Sequence, residues 1–234
     1  CREATAGTIL LKACLLLLTE RFQLKRTAAV SANELESQIS SCKPQSPGQA
    51  QLLVRCHEVL GQYFINRQEF GRAIICLSRG YDGAYKHRYS KGEAMASKLI
   101  LLQYLQALLL AGETKKLIAV CESPASTVLA GKSREVRAYL RMFRCLAGGR
   151  TVYQSQLASI ADELPLWHVA YLSAPQFTIL AEHLANLISK DHDKEAARQL
   201  ANGLSQCDQQ GRFDQNVKPK MRQLIASLTE IAKR

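Results

Sequence analysis

Apolar residues recur at the spacing of an α-helix along almost the whole of this chain. The competing signal is missing, because no run alternates apolar and polar residues between Asn-Gly or Asp-Gly turns. A pattern with the period of a helix does not suit a strand, so the sequence predicts an all-α fold of about a dozen helices.

The predicted helices are joined by short connections. They cover residues 3–25, 31–42, 49–66, 69–81, 93–111, 114–121, 133–147, 151–163, 165–173, 176–189, 193–208 and 218–232. Two prolines and a glycine predict a loop at 43–48, residues 81–92 read as partly loop, and Ser-Pro-Ala-Ser at 123–126 predicts a break. Short connections favour antiparallel neighbours, and turns near 67–68, 112–113 and 148–150 have the spacing of an array of helix pairs.

Length and composition set the broad class. The chain has 234 residues, 47% hydrophobic and 22% charged, which predicts one helical-repeat domain over 1–234 with a possible sub-boundary at the 43–48 loop. Because the chain begins at Cys1 rather than Met, we expect it to be part of a longer protein. The apolar run at 9–18 is too short to span a bilayer and contains Lys12, so we predict a buried helix and no membrane partner.

Cysteine usage indicates the compartment. Eight cysteines are present without a C-x-x-C pair, and most lie inside apolar helical patterns. We therefore predict buried free thiols rather than disulfides or a zinc site. Together with the lack of an N-x-S/T sequon, this predicts the cytoplasm or the nucleus.

One stretch, LGQYFINRQEFGRAIICLSRG from 60 to 80, places small residues where two helices of a hairpin would cross. Helices approach closely only if their contact residues lack bulk and larger neighbours fill the surrounding space. The small pair is Gly61 and Ala73, one on each helix, and Gly80 is a third small residue. The apolar residues around them are Leu60, Phe64, Phe70 and Leu77. Residues 54–81 thus resemble one tetratricopeptide repeat.

That resemblance implies a right-handed superhelical solenoid of antiparallel helix hairpins and a non-enzymatic scaffold function. The match is looser elsewhere. Leu105 and Leu117 stand at the small positions of the following hairpin, and Met142 and Gln154 at those of the third. We therefore expect an irregular solenoid, similar to tetratricopeptide arrays.

Basic residues are distributed unevenly. The formal net charge is +11; residues 51–150 hold 16 Lys/Arg against 7 Asp/Glu, whereas residues 151–200 hold 3 against 6. Such asymmetry predicts a basic surface for phosphates or an acidic protein.

The strongest surface signal lies in the helix predicted at 133–147. At 100° per residue, four arginines fall within about 80° of one another: Arg134, Arg137, Arg141 and Arg144. The far side of the helix is apolar: Val136, Tyr139, Leu140, Met142, Phe143 and Leu146. The arginines are either a solvated face or a stripe that binds phosphates or carboxylates through bidentate contacts.

A second basic patch comprises Lys86, Arg88 and Lys91, with His87 between them and Tyr85 and Tyr89 interleaved. These tyrosines either stack on single-stranded bases or pack beneath a helix end.

Other candidate motifs lack residues or elements that their function requires. His57-Glu58 begins a zinc-protease motif, but residue 61 is glycine. Ala130-Gly131-Lys132-Ser133 ends like a P-loop, but no strand precedes it, so we predict a loop and a helix cap. Asp191-His192-Asp193 is interpreted as a helix start rather than a metal site, with His183 as the nearest further ligand. Trp167-His168 is interpreted as a packed indole beside a satisfied histidine.

Three function classes follow. The first is a non-enzymatic scaffold that binds other protein subunits within an assembly; the second is a nucleic-acid-binding helical domain that uses a basic face. An enzyme comes last, because no catalytic residue, cofactor or metal site is indicated. Self-association remains open.

Overall fold

The structure is a computed structural model that describes residues 6–21, 32–87, 94–148, 158, 161–162, 174–213 and 215–233. Every regular element in these ranges is a helix, which confirms the all-α class. The helices are α1 (Ala6–Arg21), α2 (Ala32–Ser41), α3 (Pro47–Asn66), α4 (Phe70–Lys86), α5 (Ala94–Leu110), α6 (Thr114–Glu122), α7 (Pro124–Ala130), α8 (Arg134–Gly148), α9 (Ala174–Asp191), α10 (Lys194–Gln209) and α11 (Lys218–Lys233). The helices predicted at 151–163 and 165–173, with Trp167-His168, lie almost wholly outside the described residues.

The chain divides into two compact units. Unit 1 comprises Cys1–Ser133 and unit 2 comprises Arg134–Arg234. The 43–48 loop lies within unit 1, where α1 packs against α3 on either side of it in the sequence. A single domain over 1–234 stays a prediction.

Unit 1 is built on the hairpin of α3 and α4. Its predicted turn is confirmed at Arg67 and Gln68, where Gln68 has a φ of 61°. α5 packs against both helices of the hairpin, and its residues from Ile100 to Leu109 are all buried. This enclosure explains why α5 is mostly apolar, since a helix covered on every side has no solvent face to display.

A short helix stands where the sequence predicted only a break. The Ser123 side chain accepts a hydrogen bond from the Ser126 backbone N–H, and Pro124 occupies the first turn, so α7 starts as soon as α6 ends. The Tyr81 hydroxyl lies 2.7 Å from Ser123 Oγ and 3.0 Å from Ser126 Oγ, which ties this junction to α4.

α4 also runs further than predicted. It continues to Lys86, so residues 81–86, interpreted as partly loop, are helical. Tyr81 and Ala84 extend the buried face of the helix by one turn, and this packing outweighs the low helix propensity of Asp82 and Gly83.

Unit 2 contains α9, α10 and α11 packed on one another, with α8 against α9. The buried side chains of this core recur at the predicted helical spacing: Phe177, Leu180, Leu184, Ile188, Leu200, Leu204, Met221 and Leu228. The helices predicted at 176–189, 193–208 and 218–232 are thus confirmed, with Pro175 and Pro219 in first turns.

The seven cysteines in the described ranges are all free thiols. Five are buried, as predicted, whereas Cys14 and Cys42 are half-buried. Among the described helices, none combines the length and apolar character that crossing a membrane requires.

Candidate functional site

The predicted arginine face lies on α8. Arg137 and Arg141 are exposed and Arg144 is half-buried, while the side chain of Arg134 lies outside the described structure. The two exposed arginines are four residues apart, so they lie side by side on one helix face.

The opposite face of α8 is buried, as its spacing predicted. Val136, Tyr139 and Phe143 are fully buried and Met142 is 1% exposed. The other two members of the predicted apolar side, Leu140 and Leu146, are half-buried at its margins.

α8 packs against α9 within unit 2. Cys145 is buried, and its burial, with a smaller contribution from the Asp191 carboxylate, raises the pKa of this thiol to about 11. Cys145 therefore stays protonated and acts as a packing residue. The arrangement presents neighbouring guanidiniums on a helix whose other side is anchored, which suits binding of carboxylates or phosphates.

The second basic patch is described only in part. Lys86 is exposed at the last residue of α4, and Tyr85 is half-buried. Arg88, Tyr89 and Lys91 lie outside the described residues, so stacking on bases at this patch stays a prediction.

The predicted repeat residues form the interior of the α3–α4 hairpin. Six of the seven are buried, namely Leu60, Gly61, Phe64, Ala73, Leu77 and Gly80, and Phe70 is half-buried. A Cβ atom added at Gly61 would lie 2.4 Å from Leu77 Cγ, so glycine allows α3 to approach α4 closely. At Gly80 an added Cβ would meet His57 of α3 and Ile100 of α5.

Sequence reasoning missed a contact between a histidine and a cysteine. His57 Nδ1 lies 3.4 Å from Cys76 Sγ, and the two side chains line a cleft between α2, α3 and α4. Burial, and then the positive charge of Arg79, lowers the pKa of His57 to about 4, and burial raises the pKa of Cys76 to about 12. At neutral pH the pair is a neutral imidazole and a thiol, the opposite of the ion pair that activates a cysteine nucleophile.

A buried polar strip between α3 and α5 was also missed. Gln103 Nε2 donates a hydrogen bond to Glu58 Oε1 at 3.2 Å, and Arg55 forms an ion pair with the same carboxylate. Burial raises the pKa of Glu58, and Arg55 and Gln103 act against that increase. Gln106 is fully buried, and neither of its amide atoms has a hydrogen-bond partner in the described structure. The available signal was the pair of glutamines inside the apolar run LILLQYLQALLL.

The P-loop-like segment is a turn between helices. α7 ends at Ala130, Gly131 adopts a φ of 56°, and α8 starts at Arg134. No strand precedes the segment, as predicted. The preceding element is the unpredicted helix α7, so the segment lacks the strand–loop–helix frame of a P-loop.

The Asp191-His192-Asp193 segment forms the junction of α9 and α10. Asp193 Oδ1 accepts a hydrogen bond from the Ala196 backbone N–H at 3.0 Å and caps α10, which confirms the predicted helix start. No group of three or more potential metal ligands occurs among the described residues.

Removal of this cap should be measurable. Asp193→Ala is expected to lower the free energy of unfolding of unit 2 by about 1 kcal/mol, because the α10 N-terminus loses a hydrogen-bond acceptor. Asp193→Asn keeps an oxygen at the same place and should be nearly neutral in urea denaturation. Equal losses in both variants would show that the carboxylate charge, and not the cap, stabilises the junction.

No family model, curated protein or solved structure matches this chain.

Proposed function

We propose that this chain is a non-enzymatic helical scaffold that binds an acidic segment of a partner protein through the arginine face of α8. The observation that supports this most directly is the pair of exposed arginines, Arg137 and Arg141, on a helix whose far side is buried. A rigid helix presents planar guanidiniums at fixed spacing, which favours bidentate contacts with carboxylates.

The architecture that we propose is an irregular right-handed solenoid of antiparallel hairpins, similar to tetratricopeptide arrays. Close packing of α3 and α4 at Gly61 and Gly80 supports this, as does the stacking of α5 on that hairpin. Solenoids of this kind offer extended surfaces to partners, which agrees with a scaffold role.

The protonation of the described Cys–His pair also favours a scaffold over an enzyme. With the His57 imidazole neutral and the Cys76 thiol protonated, this pair has neither an activated nucleophile nor a charged general acid at neutral pH.

A charge-reversal variant tests the arginine face. Arg137→Glu with Arg141→Glu is expected to weaken binding of a fluorescent polyglutamate peptide at least about tenfold, because attraction becomes repulsion at two adjacent sites. The double variant Lys190→Glu with Lys194→Glu changes the net charge equally at other exposed positions of unit 2 and should bind nearly normally. Binding is measured by fluorescence anisotropy, and far-UV circular dichroism verifies the fold.

Nucleic-acid binding is the alternative, and oligouridine is the second probe. If oligouridine binds more tightly than the peptide, and its affinity falls steeply between about 50 and about 300 mM salt, counterion release identifies a nucleic-acid surface. Equal binding by both double variants would mean that the arginine face is only solvated. Loss of the fold in the arginine variant would make these residues structural.

A further inference from the structure

α2 is a short helix that packs on the rest of unit 1 through few side chains, and the surface beneath it is called the α2 seat. It has ten residues, and its buried side chains are Leu35 and Ile39, four positions apart. Its backbone packs against α1 and α3. A helix of this length is marginal in isolation, so these tertiary contacts hold it in its conformation.

Two arginines of α4 hold the polar edge of α2. Arg72 Nη2 donates hydrogen bonds to Asn33 Oδ1 at 2.7 Å and to Glu36 Oε2 at 2.5 Å. The same guanidinium lies 4.2 Å from the centre of the Phe64 ring, which fixes its position. Arg79 Nη1 donates to Ser40 Oγ at 3.1 Å. The α4 side of the seat is therefore basic and matched to an acidic helix.

The surface beside α2 is only partly covered. A shallow cleft lies between α2, α3 and α4, and its enclosed space of about 10 Å³ holds at most one water molecule. His57, Leu60, Ile75 and Cys76 line it from the side of the hairpin. Ile75 is 55% exposed at this place, so apolar surface stays uncovered beside the helix. A helix that also covers Ile75 would bury more apolar surface than α2 does.

We propose that the surface of α1, α3 and α4 beneath α2 is a docking site for an amphipathic helix of a partner protein, and that α2 is its intramolecular occupant. The partner helix carries two apolar residues four apart and an acidic residue between them, as α2 does with Leu35, Glu36 and Ile39. This site is separate from the arginine face of α8, so either proposal can fail without the other.

Competition sets a requirement on the partner. A segment tethered to its own site acts at an effective concentration in the millimolar range. A free helix displaces α2 only if it binds more tightly, and the exposed side chain of Ile75 offers it additional apolar surface. Partner helices with a further apolar side chain that reaches Ile75 are therefore preferred.

Alkylation of Cys76 reports whether α2 leaves its seat. Cys76 is 4% exposed, and removal of α2 uncovers it. Glu36→Arg replaces the contacts to Arg72 by repulsion, and we expect it to speed alkylation of Cys76 about three- to tenfold. Cys56 is the matched control, because it is fully buried beside α1, with its Sγ 3.7 Å from the Ala6 carbonyl oxygen. Mass spectrometry of iodoacetamide-treated protein measures both rates.

A peptide tests docking in trans. A capped peptide with the sequence of residues 32–41, added at about 1 mM to the Glu36→Arg protein, should slow alkylation of Cys76 again. The same peptide carrying Glu36→Arg should not. Glu36→Gln in the protein, a milder change, should give a smaller increase in the same direction, with the fold verified by circular dichroism.

Three results would overturn the proposal. They are an unchanged alkylation rate of Cys76 in both variants, a parallel increase at Cys56, and a failure of the peptide to protect Cys76. An unchanged rate at Cys76 would mean that α2 does not leave the surface beneath it. A parallel increase at Cys56 would mean that α2 belongs to the core. A failure of the peptide to protect Cys76 would mean that this surface binds no separate helix.

Discussion

Replacing Gly80 with alanine is expected to lower the free energy of unfolding of unit 1 by about 2 kcal/mol, although alanine is the better helix former. A Cβ atom at this position would lie 2.0 Å from Ile100 Cδ1 and 2.7 Å from His57 Cβ. Ile100 Cδ1 ends a flexible side chain and can rotate away, whereas His57 Cβ is fixed to the backbone of α3. The added methyl group therefore pushes α3 and α4 apart, and a close-packed interior absorbs such a shift poorly.

Gly71 provides the matched control on the same helix. It is exposed, and a Cβ atom there would have no neighbour within 4 Å in the described structure. Gly71→Ala should therefore raise the free energy of unfolding by up to about 0.5 kcal/mol, because glycine is the poorer helix former and Gly71 lies in the first turn of α4. Urea denaturation and hydrogen exchange of the α4 amides measure both variants. If the two alanine proteins are equally stable, the helices do not approach each other as closely as the structure shows.

The hairpin shows what the sequence could predict of this fold and what it could not. The apolar period and the short turn near Gln68 are local features, so α3 and α4 could be placed from the sequence. The rotation of one helix about its axis depends on tertiary packing. The structure places Leu77 against Gly61 and His57 against Gly80, and the helical period alone does not give these contacts.

The features that the sequence did not predict were also missed for physical reasons. α7 has seven residues, which is too short to display a helical period, and its start depends on the Ser123 cap. In α5 the pair Gln103 and Gln106 marked a polar strip in the sequence but not its burial, because a polar residue in an apolar helix normally indicates its solvent face. Only the enclosing helices decide that such a residue is buried.

The candidate binding face on α8 could be predicted from the sequence, as α3 and α4 could. The periodicity of α8 places Arg137 and Arg141 on one side and Tyr139 and Phe143 on the other, and the structure confirms this separation. A face of one helix follows from local spacing. The contact of His57 with Cys76 joins residues 19 positions apart, and such a contact becomes visible only once the hairpin is folded.

Acidification is expected to lower the free energy of unfolding of unit 1, because His57 is buried in its neutral form. Its pKa is lowered to about 4 in the folded protein, first by burial and then by Arg79, from an ordinary value of 6.5. Well above pH 6.5 the imidazole is neutral in both the folded and the unfolded state, so it does not lower the free energy of unfolding. As the pH falls from 6.5 towards 4, the unfolded chain binds a proton that the folded protein excludes, so the free energy of unfolding decreases by up to about 3 kcal/mol. Below pH 4 both states are protonated and this loss levels off.

Comparison with His57→Gln isolates this effect from its neighbours. Glu58 opposes it, because burial raises the pKa of this carboxyl group and its protonation in acid favours the folded state. Arg79 and Glu36, which also face the cleft, stay in both proteins. Urea denaturation from pH 7.5 down to about 4 should give a wild-type curve that falls more steeply than that of the variant, with parallel curves above pH 7. If the two curves are parallel throughout, the imidazole takes up its proton equally well in the folded state, and the cleft beneath α2 is open to water.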